Sequence, residues 1–160
     1  MEPKGRNDGH RFDYSKIADR VYIGSDLCRA GVCKIHGEEF RDLGIGFELN
    51  LSQENNELPP KNMRAGYLWL PVADGHSPTQ VQLDIGTAAI NSVVESGDAV
   101  YVHCKNGHGR SPTLVVAYLV RYKGYNLLEA QSLVKEERPE IHIEDSQIQE
   151  LEKFEERWSK

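Results

Sequence analysis

Ten residues limit the folds open to this chain more than any others: His103-Cys104-Lys105-Asn106-Gly107-His108-Gly109-Arg110-Ser111-Pro112, set between two apolar runs of different length. Ahead of them the turn pair Gly97-Asp98 opens Ala99-Val100-Tyr101-Val102, a short β-branched and aromatic run that reads as a buried strand. Behind them residues 113–120 form an apolar stretch of helical length, with Pro112 in the first turn, where a missing N–H does no harm. A strand must therefore feed a helix through a loop carrying a cysteine, two glycines and an arginine.

Such a junction favours an anion. The first N–H groups of a helix have no partner within it and stand at the positive end of its dipole. Gly107 and Gly109 can adopt positive φ, which lets successive N–H groups turn inward as a nest. Arg110 adds a planar fork matched to two phosphoryl oxygens. Cys104, at the base of the nest, is expected to ionise; cysteines so placed have pKa values of roughly 3.5–7.5 instead of about 8.5. Ser111 can hydrogen-bond the sulfur and steady it as a leaving group. The expected roles are thus nucleophile for Cys104, support for Ser111, and oxyanion binding for Lys105, Asn106, Gly107, His108, Gly109 and Arg110. That is a site for phosphoryl transfer. A buried structural cysteine beside a glycine turn is the plainer alternative.

Cys104, five intervening residues, Arg110 and Ser111, preceded by His103, resemble the signature loop of the cysteine-based protein tyrosine phosphatases. The short chain and its flanking pattern are most similar to the dual-specificity branch. The resemblance spans most of residues 16–158 and implies a phosphatase acting through a cysteinyl-phosphate. Nothing here matches the recognition loop of the longer, tyrosine-specific members, which implies a shallower pocket open to phosphoserine and phosphothreonine as well as phosphotyrosine. Basic residues at the loop positions of Lys105 and His108 mark the lipid phosphatases of that family. The preferred reading here is a solvated lysine and a histidine bonded to a neighbouring loop, with Lys61 and Arg64 as further exposed cations. Arg138, in a stretch similar to the family's loop between the last two helices, is expected to brace the site.

The departing oxygen needs a proton, and a carboxylic acid is the usual donor. Asp74 follows a third predicted strand (residues 67–70), has Gly75 beside it, and is similar to the family's general acid, some thirty residues before the cysteine. A turn or cap aspartate is the ordinary alternative; Asp84, Asp98 and His76 are weaker candidates for the role. His103, by strand alternation, should point away from the pocket and orient the loop from behind.

The rest of the chain sets limits. Its 160 residues suit one domain, with residues 1–14 as a flexible arm and 15–160 as the catalytic unit. Strands at 21–24, 47–51 and 67–70 alternate with helices at 78–96, 126–137 and 144–158, and residues 26–43 read as a poor helix broken by Gly31 and Gly37. The fold class is α/β, a mostly parallel sheet flanked by helices. For the helix at 78–96, Ser77 is the expected N-cap and Pro78 the first residue.

A formal charge of −6 argues against nucleic acid as a partner. No apolar run reaches 18 residues and no signal-peptide core opens the chain, so no integral membrane segment and a cytoplasmic location are expected. No histidine pair or carboxylate cluster has ligand spacing, so neither metal nor other cofactor is expected. Cys28 and Cys33 would not share a helix face and read as core or surface cysteines rather than a redox pair, a disulfide from one of them to Cys104 being the lesser alternative. The expected substrate is a phosphorylated protein or peptide, with phosphate- and vanadate-type oxyanions binding the loop. Two alternatives are a phosphatase of phosphoinositides or other non-protein phosphates, and a phosphate-binding module without catalysis.

Overall fold

Strand β7 (Ala99–His103) is buried at every residue, and the rest of the sheet is laid out around it. The computed structural model describes residues 12–29, 32–61 and 65–158. Among them, β1 (Tyr14–Ala18), β2 (Val21–Gly24), β5 (Ile45–Ser52), β6 (Gly66–Val72) and β7 pair in the order β1-β2-β7-β5-β6. All pairings are parallel except β1 with β2. Parallel strands need both faces covered. Val100 and Val102 pack into the larger core under helices α2 (Gln80–Glu95), α3 (Arg110–Lys123), α4 (Leu127–Glu137) and α5 (Asp145–Trp158). Ala99 and Tyr101, one residue out of phase, face a smaller core with Phe40 of α1 (Glu38–Asp42) and Cys28 of a two-stranded hairpin, β3 (Cys28–Arg29) and β4 (Val32–Cys33).

The deepest helix is α3, whose residues 110–120 are all buried. Its apolar stretch has no polar face because α2, α4 and α5 surround what the sheet leaves open. It ends at Gly124, a left-handed residue at φ 77° whose N–H returns to the Leu119 carbonyl.

Several expectations are corrected. Residues 26–43 hold the β3–β4 hairpin and a five-residue α1 in place of one poor helix. The N-cap of α2 is Thr79, which closes a capping box with Gln82, and not Ser77; Ser77 instead donates to the Pro78 carbonyl. Cys28 and Cys33 are joined by a disulfide, because in an antiparallel hairpin they stand directly opposite, a pairing that helical geometry forbids. Of the segment expected as an arm, residues 1–11 lie outside the described residues, while Tyr14 opens β1 and packs edge-on against Phe40, 4.9 Å between ring centroids.

Candidate active site

Four parallel strands point their carboxyl ends at one edge, and each is followed by a residue of the site: Ser25 after β2, Glu54 after β5, Asp74 after β6 and Cys104 after β7. Loops at this edge are where ligands of open α/β sheets bind. The loop from Cys104 to α3 is shaped from outside by its carbonyls. The Lys105 carbonyl accepts Asp26 N–H at 2.9 Å, and that of His108 accepts His142 N–H at 2.6 Å. Between them, Asn106 O accepts Ser25 Oγ (3.1 Å) and Arg138 (3.0 Å), and Gly107 O accepts Arg138 Nε (2.9 Å). In a planar trans peptide the N–H points opposite to the C=O. Four successive carbonyls held outward therefore turn the N–H groups of residues 106–109 inward. Gly107, at φ +75°, makes the bend.

Inside lies a cavity of about 160 Å³, lined by Cys104, Asn106, His108, Gly109 and Arg110 from the loop, Asp74 and Gly75 after β6, and His142, Glu144 and Gln147 from the approach to α5. Cys104 is buried, which alone would push its thiol up; the charge of Arg110, the Ser111 hydroxyl and the N–H groups of Ser111 and Gly107 outweigh that and hold it below the ordinary value. Its sulfur lies 3.5 Å from Ser111 Oγ.

Sequence and structure comparisons agree with this geometry. Residues 28–157 match the family model described as dual specificity phosphatase, catalytic domain. The chain belongs to that family. Dual specificity protein phosphatase 14 of Mus musculus is 41% identical over 143 residues, covering 88% of this chain and 68% of that protein. Phosphatidylglycerophosphate phosphatase PTPMT2 of Arabidopsis thaliana is 30% identical over 146 residues, 88% of this chain and 62% of that one. The crystal structure of human DUSP28 superposes over the whole of both chains with a TM-score of 0.81 at 26% identity. The chain is a phosphoric monoester hydrolase of the dual specificity class.

In this phosphatase Arg110 does not aim its whole fork into the cavity. Its two terminal nitrogens meet Glu54 at 2.7 and 2.8 Å, one of them also donating to the Val72 carbonyl at 2.8 Å. Nε has no protein partner among the described residues and is one donor left for an oxyanion, the second hydrogen of the terminal nitrogen beside Asp74 being another. Burial raises the Glu54 carboxyl, but Arg110 overrides it and holds it down at about 2. Glu54 lies in the polar stretch between β5 and β6, and no local signal marks it, since its partner lies 56 residues away.

Asp74 Oδ1 stands 3.6 Å from Arg110, its side chain 44% exposed at the cavity mouth. Its loop is fastened to the start of α5: Gln147 donates to the His76 carbonyl (3.0 Å) and Ser146 to that of Gly75 (3.3 Å). The rival carboxylates are elsewhere. Asp84 pairs with Arg157 at 2.7 Å on the α2–α5 surface, and Asp98 precedes β7 at the opposite sheet edge. His76 turns its ring to the Asp74 carbonyl, 3.2 Å away.

His103 lies behind the loop, as strand alternation requires. One ring nitrogen is 2.6 Å from Glu48 and the other 3.1 Å from the Cys104 carbonyl, while the ring stacks on Tyr101. Burial pushes the imidazole pKa down, but the Glu48 carboxylate more than reverses this, so it is raised. Lys105 is buried and not the solvated lysine expected; His108 is buried too, and of the two only His108 lines the cavity. Gly107 gives its carbonyl to Arg138 and does not line the cavity. Arg138 is wholly buried and, besides its two loop carbonyls, meets Ser15 Oγ (3.0 Å), Asp13 (2.9 Å) and Glu140 (3.2 Å). Arg64 lies outside the described residues, and Lys61 is exposed.

Proposed function

We propose that this phosphatase hydrolyses phosphotyrosine, with phosphoserine and phosphothreonine, in proteins. The observation that carries this reading is the charge of the cavity wall. Among the described residues that line it, Arg110 is the one fixed cation, and Asp74 and Glu144 are carboxylates. A multiply phosphorylated headgroup would bring surplus negative charge against those carboxylates, whereas a single phosphoryl group needs no more than Arg110 and the inward N–H groups.

The reaction has two steps. The Cys104 thiolate attacks phosphorus, forming an S–P bond as the P–O bond to the leaving group breaks, and Asp74 gives that oxygen its proton. Water then attacks the phosphorus, returns a proton to Asp74, and the S–P bond breaks to release phosphate, with Ser111 stabilising the departing sulfur. Arg110 and the N–H groups of the 105–110 loop hold the equatorial oxygens throughout. His103 and Arg138 position the loop.

The test compares kcat/KM for phosphotyrosine and phosphothreonine peptides with that for phosphatidylglycerophosphate and a monophosphorylated phosphoinositide in mixed micelles. Peptides are expected to lead. A preference for either lipid would overturn the protein-substrate reading and favour the activity for which the Arabidopsis relative is named. Cys104→Ser should abolish turnover of every substrate; turnover that persists in it would falsify the covalent mechanism.

A further inference from the structure

On the sheet face opposite α3, behind the active-site loop, the hairpin brings together three donors that the proposed reaction does not use. Cys28 Sγ, Cys33 Sγ and a ring nitrogen of His36 all lie within 4.8 Å of one another. His36 Nδ1 is 3.4 Å from the Cys28 sulfur and 3.2 Å from that of Cys33. Its Nε2 is 2.7 Å from Glu48 Oε1, and the other oxygen of Glu48 is held by His103 at 2.6 Å. Glu48 is thus pinned between two imidazoles and is not free to swing toward the sulfurs.

The tautomer follows from these partners. A carboxylate accepts, so Nε2 of His36 carries the hydrogen, and the neutral ring offers Nδ1 as a lone pair. That lone pair faces two sulfurs which, as a disulfide, have no hydrogen to donate. Carrying no hydrogen, Nδ1 is satisfied here by reduced sulfurs or by a metal cation standing between the three atoms, whereas a doubly protonated ring would turn Nδ1–H on the sulfurs instead. In a tetrahedral zinc site, bond lengths of about 2.3 Å to sulfur and about 2.05 Å to nitrogen place sulfur about 3.6 Å from nitrogen and about 3.8 Å from a second sulfur. The two sulfur–nitrogen separations already approach this value, and only the sulfur–sulfur bond must open. A histidine ligand whose second nitrogen donates to a carboxylate is also how metal-binding imidazoles are usually oriented. Cys28 and the His36 ring are buried, whereas Cys33 is partly exposed, which leaves a route from solvent on the Cys33 side.

We propose that Cys28, Cys33 and His36 form a thiol-gated zinc site, with Cys28 Sγ, Cys33 Sγ and His36 Nδ1 as ligands and a fourth position open to water. A dithiol reductant opens the Cys28–Cys33 bond and is itself oxidised to a disulfide, leaving two thiols. Zn²⁺ then displaces both thiol protons to solvent. Two thiolates, a neutral imidazole and the dication sum to zero charge, so the filled site buries no uncompensated ion. The oxidised hairpin does not bind.

The experiment uses the whole chain, reduced with a dithiol under argon and freed of it, then titrated with Co²⁺. The expected result is one Co²⁺ per chain, with thiolate-to-metal charge-transfer and tetrahedral d–d absorption that Zn²⁺ bleaches. The signal should persist in Cys104→Ser and vanish in Cys33→Ser, in His36→Gln and in the unreduced protein. Because a variant can fail to fold, a second reading is taken on the unmodified protein: Zn²⁺ should protect Cys28 and Cys33, but not Cys104, from alkylation as followed by peptide mass spectrometry. Absence of stoichiometric binding, binding that survives His36→Gln, or binding lost in Cys104→Ser overturns the proposal.

Discussion

Replacing Arg138 by Met tests whether the outward carbonyls hold the nucleophile's pKa. The substitution keeps an apolar stem but removes every donor. Gly107 O loses its Arg138 hydrogen bond, while Asn106 O keeps Ser25 Oγ as a remaining partner. An orphaned buried acceptor costs about 1–3 kcal/mol, and loss of a charge-assisted bond to an acceptor that keeps a second partner about 1.5 kcal/mol. Together the expected destabilisation is about 2.5–4.5 kcal/mol, a large share of the about 5–15 kcal/mol of a typical domain. Asp13 and Glu140 are partly exposed and rehydrate when the arginine is gone.

The same peptide planes carry the Gly107 N–H that faces Cys104, so slackening them weakens the thiolate's support. Urea unfolding measures the first effect. The pH dependence of iodoacetamide alkylation at Cys104 measures the second, which should move upward by about one pH unit, the equivalent of about 1.4 kcal/mol. Arg138→Lys should recover part of both. An unchanged urea midpoint together with an unchanged alkylation profile in Arg138→Met would refute the reasoning.

In the unaltered protein, half-maximal alkylation of Cys104 should lie below about 8.5, the ordinary thiol value, and a midpoint at or above it would remove the electrostatic account. Glu54 is lowered from 4.5 to about 2, so its pairing with Arg110 stabilises the fold fully above 4.5 and is lost as pH falls toward 2. The stability difference between the wild type and Glu54→Gln should shrink over that window, and vanadate should inhibit Glu54→Gln more tightly, since a charge that competes for Arg110 is gone; weaker inhibition counts against that competition. Thr79→Ala should cost about 1 kcal/mol in thermal or urea unfolding by opening the capping box of α2, with kcat unchanged; no loss of stability would mean Ser77 had taken over the cap. Gly107→Ala should lose activity and oxyanion binding together, and activity near that of the wild type would deny the need for positive φ there.

The strand, loop and helix from 99 to 123 were legible because burial, glycine placement and the helix start act within a few neighbouring residues. Cys104, Arg110 and Ser111 meet for that reason, and Asp74 joins them because parallel strands end on one edge. What escaped depends on contacts across the sheet. Glu54 reaches Arg110 only once β5 and β7 are side by side, and Glu48 joins His36 to His103 only through the same neighbours. The Cys28–Cys33 pairing escaped because a hairpin of two-residue strands leaves too short a pattern to separate from a poor helix. Likewise β1 is a partly exposed edge strand, with one buried residue in five.

Gly107 rests on the backbone of Gly24, so that a methyl group on Gly107 would come within 3 Å of Gly24 main-chain atoms, while one on Gly24 would meet Asp13 O, Tyr14 Cα and the Tyr101 hydroxyl on its other side. Most tight contacts can be repaired by trimming the partner, but here both sides are already as small as an amino acid can be. No compensating exchange exists between the end of β2 and the crest of the catalytic loop, and neither can drift in sequence while the other waits. A selection for revertants of a substitution at Gly107 should therefore return the original glycine and no second-site change at Gly24.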